Sequence, residues 1–82
     1  MKELVDTAIL MTSDDYKERF LAEYYQLETR YTKLKDMINR WDEGTLAFTP
    51  TCPRSLYDLQ LRAMKDYLTV LETRALIEGV KI

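Results

Sequence analysis

From Phe20 onward the apolar residues recur as Phe20, Tyr24, Leu27, Tyr31, Leu34, Ile38 and Trp41. These steps of four and three keep one face of an α-helix turned toward a partner for three heptads. The spacing predicts a long helix over 14–43. Thr12, Ser13, Asp14 and Asp15 offer several N-caps, and Asp15 with Glu18, or Thr12 with Asp15, has capping-box spacing. Gly44 follows Asp42 and Glu43, where a left-handed residue ends a helix.

A second helix is predicted over 55–78. Pro53 precedes it, Ser55 and Asp58 repeat the capping-box spacing, and Gly79 closes it. Its apolar pattern is wider than one stripe. Tyr57, Leu61, Met64, Leu68, Leu71 and Ala75 form one line, and Leu56, Ala63, Tyr67, Val70 and Ile77 form a second about 100° around the helix. Gln60 and Arg74 interrupt the second line. A single hairpin partner covers one stripe, so the surplus calls for another surface. The expected fold is therefore all-α: an antiparallel hairpin of two long helices within one domain over 1–82, assembling into an oligomeric helical bundle.

The first twelve residues offer the other way to cover that surplus. Leu4, Val5, Ala8 and Ile9 have helical spacing, so a short N-terminal helix folding back over the hairpin is an expectation too. Met11 is an alternative initiator, which would leave residues 1–10 as an unstructured extension. Between the long helices, residues 44–54 make a lengthy connection. Pro50 and Pro53 stiffen it and hold Thr49 and Cys52 extended, while Leu46 and Phe48 alternate with small or polar neighbours.

Composition narrows the chemistry. The 82 residues contain one cysteine and no histidine, so no intrachain disulfide forms and the commonest general base is missing. No nucleophile and base stand at suitable spacing, so no catalytic residue, metal or cofactor is expected. Paired acids such as Asp14-Asp15 and Asp42-Glu43 are adjacent rather than one helical turn apart, as a metal would need on one face. Twelve basic against fourteen acidic side chains give a net charge of −2 with the signs interspersed, which argues against a nucleic-acid polymer as partner. The longest apolar run has four residues, far short of the ~20 that span a bilayer, and the start lacks a secretory signal. A cytoplasmic protein is expected.

A small anion is a better candidate ligand. The start of the second helix presents backbone N–H groups beside Thr49, Thr51, Arg54 and Ser55, a combination that holds phosphate. Plain N-capping by Ser55 or Thr51 is the alternative. Tyr25 lies off the seam and Phe48 in the loop. Near Arg19, Arg30 or Arg54, such rings can stack on a base while the guanidinium pairs with phosphate. Arg74 and Gln60 either lie at a rim or line a polar pocket between subunits. Cys52, before the second helix, is either a reactive thiol or a small hydrophobe in a loop.

Asp15-Tyr16-Lys17-Glu18-Arg19, Glu23, Leu27, Arg30, Lys33-Leu34 and Met37, followed by Gln60-Leu61, Met64, Tyr67, Leu71 and Arg74, resemble a family of small phage and prophage proteins named for their relation to a crAss-like phage protein. The resemblance covers about residues 14–76, and the loop from Gly44 to Pro53 looks like one branch of it. It implies phage or prophage origin and a life in the host cytoplasm. Its hairpin architecture is similar to that of the anti-CBASS and anti-Thoeris sponges, oligomers that sequester a cyclic nucleotide or cyclic ADP-ribose-like signal without cleaving it. That likeness carries no matched binding residue. A protein-binding inhibitor of a defence effector and a structural phage component are the alternatives.

Overall fold

The computed structural model describes residues 4–82. A 3-10 turn, Leu4–Asp6, leads into α1 (Thr7–Met11), followed by α2 (Tyr16–Glu43) and α3 (Arg54–Glu78). No strand occurs among the described residues. The two long helices run antiparallel as a hairpin within a rod of 43 × 24 × 18 Å. The expected 1–12 extension falls partly on residues 1–3, outside the described part. From Leu4 it is helical, so the unstructured alternative does not hold for residues 4–10.

Local signals set the ends of the helices. Asp15 takes the extended N-cap conformation and its carboxylate accepts the Lys17 N–H at 3.0 Å. That satisfies one free donor of the first turn and starts α2 at Tyr16, two residues later than expected. Gly44 and Gly79 adopt φ of 76° and 73°, and their amides return to carbonyls of the preceding turn. The start of α3 differs from expectation. Pro53 occupies the N-cap position with no side-chain cap bond, so neither Ser55 nor Thr51 caps the helix. Its ring already fixes φ at −62°, a value that serves helix entry without a side-chain acceptor.

The seam of α2 packs as its spacing requires. Phe20 and Ile38 are buried and Tyr24, Leu27, Tyr31, Leu34 and Trp41 half-buried. Facing them, the first stripe of α3 is half-buried at Tyr57, Leu61 and Met64 and buried at Leu68, Leu71 and Ala75. The core is densest toward the open end of the hairpin, where Phe20, Leu71, Ala75 and Val80 cluster with Leu21, Tyr24 and Leu27.

α1 corrects the expectation that the N-terminal segment covers the second stripe of α3. It packs on α2 and makes no packing contact with α3. Ala22 and Thr29, buried on the side of α2 opposite Phe20, mark the face it covers. Small side chains there allow close approach. Gln26, between them, donates to Thr7 Oγ1 at 3.0 Å and to the Met11 sulfur. Thr7 is itself buried, and its hydroxyl donates to the Leu4 carbonyl at 2.7 Å. The apolar spacing of α1 pointed to the wrong face: Val5, Ala8 and Ile9 are exposed, while Leu4, Thr7 and Leu10 face inward. Thr7 is buried at little cost because its hydroxyl is satisfied by the Leu4 carbonyl and by Gln26. α2 is thus sandwiched, and the second stripe of α3 stays open to water.

Candidate functional site

The residues proposed from sequence fall into two groups at opposite ends of the rod, with Tyr25 and Arg30 between. Arg54, Ser55, Thr51, Thr49 and Phe48 lie at the loop end, and Arg19 and Arg74 at the open end. Along α3 alone, the twenty residues from Arg54 to Arg74 correspond to ~30 Å. No pocket forms among the described residues, so these side chains do not line one shared cavity within the chain.

At the loop end, Arg54 is already engaged. Its Nη2 and Nε donate to the two carboxylate oxygens of Asp42 at 2.8 and 3.3 Å, and its Nη1 donates to Asp58. The Asp42 hydrogen bonds hold the guanidinium pKa above its ordinary value, with Asp58 adding to the effect. This fork ties the last turn of α2 to the first turn of α3. An incoming phosphate at Arg54 must therefore compete with two carboxylates. Beneath the fork, Trp41 and Tyr57 meet edge to face, with centroids 6.0 Å apart. Burial, then the neighbouring Cys52, pushes the Tyr57 hydroxyl up. Phe48, Thr49, Thr51, Cys52 and Ser55 are exposed.

At the open end, Arg74 resolves the choice between rim and pocket in favour of the rim within the single chain. Its guanidinium lies 5.1 Å from the Phe20 ring centroid, and it donates to Glu78 at 3.1 Å and to the Tyr16 hydroxyl at 2.8 Å. Tyr16 donates in turn to Glu78 at 2.7 Å. The Tyr16 hydrogen bond, then that of Arg74, holds the Glu78 carboxyl below its ordinary value. Arg19 donates to the Ser13 carbonyl at 2.7 Å, closing the turn between α1 and α2.

The middle of the rod carries the remaining candidates. Tyr25 is half-buried, its ring set edge-on to Tyr24 at 5.8 Å. Burial, aided by a hydrogen bond with Glu28, pushes Tyr24 up to about 12. Arg30 is exposed. Tyr67 donates to Glu23, which links the long helices midway between the two ends.

Sequence reasoning missed the fork at Asp42 and the triangle at Glu78. Half of each was visible as an i, i+4 pair, Arg54 with Asp58 and Arg74 with Glu78. Asp42 and Tyr16 join only once the hairpin closes.

Compared with known families, the sequence from residue 14 to residue 77 matches the family described as Sequestin. The chain belongs to the Sequestin family. The Sequestin match takes in both long helices and the connection between them, and leaves α1 outside. No curated protein and no solved structure matches the chain.

Proposed function

We propose that this Sequestin captures a small anionic signal of the cyclic nucleotide or cyclic ADP-ribose class and holds it without cleaving it. Such a protein would act against CBASS- or Thoeris-type defence, encoded by a phage or prophage and working in the host cytoplasm. The observation that carries the reading is the Sequestin match across residues 14–77, because the family name denotes sequestration. The sequence agrees in chemistry. It has no histidine, yet it has guanidinium, hydroxyl and aromatic side chains at both ends of the rod. Phe48, Thr49, Thr51 and Ser55 at the loop end, and Tyr25 and Arg30 on α2, are the side chains we assign to ligand contact. Arg54, Arg19 and Arg74 would join by exchanging their present partners for phosphate.

Thermal shift tests this directly. Purified protein is titrated with cyclic dinucleotides, cyclic trinucleotides and cyclic ADP-ribose isomers. A ligand at 100 times its Kd adds ~2.7 kcal/mol to stability. Recovery of the intact ligand after heat release distinguishes storage from hydrolysis. No stabilisation by any of them, or a cleaved product, would overturn the reading.

The exposed second stripe of α3 favours one other reading, an inhibitor that docks on a defence effector through that face. It predicts a stoichiometric complex with an effector and no response to nucleotides.

A further inference from the structure

We propose that the outer face of α3 is the docking surface for a second copy of this chain, the two α3 helices lying antiparallel. The proposal goes beyond ligand capture and needs no ligand.

The face is defined by spacing and exposure together. Leu56, Ala63, Val70 and Ile77 recur every seven residues, the repeat that keeps one line of a helix against another. Leu59 and Tyr67 flank that line. In the folded chain Leu56 is 50 % exposed, Leu59 63 %, Tyr67 44 %, Val70 54 % and Ile77 78 %. Among the described residues, α1 is the one other helix able to cover them, and it packs on α2 and not on α3. These five residues expose the equivalent of about three whole side chains. That is roughly 600 Å² per copy and ~1,200 Å² in a symmetric pair, the area at which specific stable interfaces begin.

A second copy fits because it brings the same repeat over the same length. Four layers at seven-residue spacing run ~32 Å along α3, and another α3 matches them layer for layer. Ala63 leaves room for a larger opposing side chain. Charge selects the orientation. In an antiparallel pair each α3 N-terminus lies beside the partner's C-terminus, where the helix dipoles attract, whereas in a parallel pair like ends meet. Antiparallel pairing brings Leu56 level with the partner's Ile77, Ala63 with the partner's Val70, and Arg74 with the partner's Leu59. Only Asp66, exposed in the single chain and on the same line of α3 as Leu59, then lies near its own copy.

Sedimentation equilibrium of the full chain without ligand tests the surface. A dimer is expected at tens of micromolar, and Val70→Glu should weaken it about 100-fold while far-ultraviolet circular dichroism keeps its helical signal. A monomer throughout, or a dimer indifferent to Val70→Glu, overturns the proposal. Orientation is read by disulfide trapping in a Cys52→Ser background. Equal amounts of Leu56→Cys and Ile77→Cys chains should cross-link to each other. Cross-links confined to like chains would overturn the antiparallel arrangement, and this readout holds even if Val70→Glu perturbs the fold. Since neither measurement contains a nucleotide, failure here and failure of signal capture are seen separately.

Discussion

The two faces of α3 have nearly the same apolar content and opposite fates. Leu71 is fully buried against Phe20 and α2, while its neighbour Val70, one residue back, is more than half exposed. The lesson is about supply: α2 presents one apolar seam, and a single seam can cover a single stripe. Which stripe it covers is fixed by the small Ala75 and by Val80, which folds back beside Leu71 to close the core. The largest test of this contrast is a pair of truncations. Leu71→Ala should cost ~2–5 kcal/mol, the range for emptying a closed core site. Val70→Ala, measured at sub-micromolar concentration, should stay within about 0.5 kcal/mol of the parent. Chemical denaturation read by circular dichroism compares them. Equal losses would show that the outer stripe is packed within the single chain.

Most of this contrast was legible in the sequence. The seam from Phe20 to Trp41 and the inner stripe from Tyr57 to Ala75 followed from periodicity alone, because long amphipathic helices repeat the same signal over many turns. The short N-terminal helix was legible too, but the face it packs was not, since five residues repeat nothing. Its burial turned on Thr7, whose hydroxyl finds the Leu4 carbonyl and Gln26. The candidate site was legible only in part. Residue type marked Arg54 and Arg74 as able to bind an anion, yet the Asp42 carboxylate that engages Arg54 lies twelve residues away and comes near only when the hairpin closes.

A middle-sized effect sharpens how the inner face is sealed. Gly79, at φ 73°, turns the chain so that the Val80 N–H reaches the Ala75 carbonyl at 2.9 Å and the Val80 side chain enters the core. Open space surrounds the position of an added Cβ, so Gly79→Ala meets backbone strain alone. The expected loss is ~1–2 kcal/mol. Gly44→Ala, with φ 76° and equally open space, carries the same strain far from that core. If Gly79→Ala loses clearly more than Gly44→Ala, the excess measures the seal made by Val80. An equal loss would remove Val80 from the account of the inner face.

The smallest effect lies at the rim between the two faces, where Arg74 lies over Phe20 with its head on Glu78 and Tyr16. Hydrogen bonds from Tyr16 and Arg74 hold the Glu78 carboxyl below its ordinary 4.5. The folded chain therefore binds that proton less readily than the unfolded chain does. Stability from this triangle is present in full above about pH 4.5 and fades as pH falls through the folded value. Glu78→Gln should lower the melting temperature slightly at pH 7, and the gap to the parent should close as pH falls below 4.5. A gap that stays constant into acid would mean that the carboxylate charge contributes nothing at the rim. Arg74 would then be held by the Phe20 ring and the Tyr16 hydroxyl, contacts that do not titrate in that range.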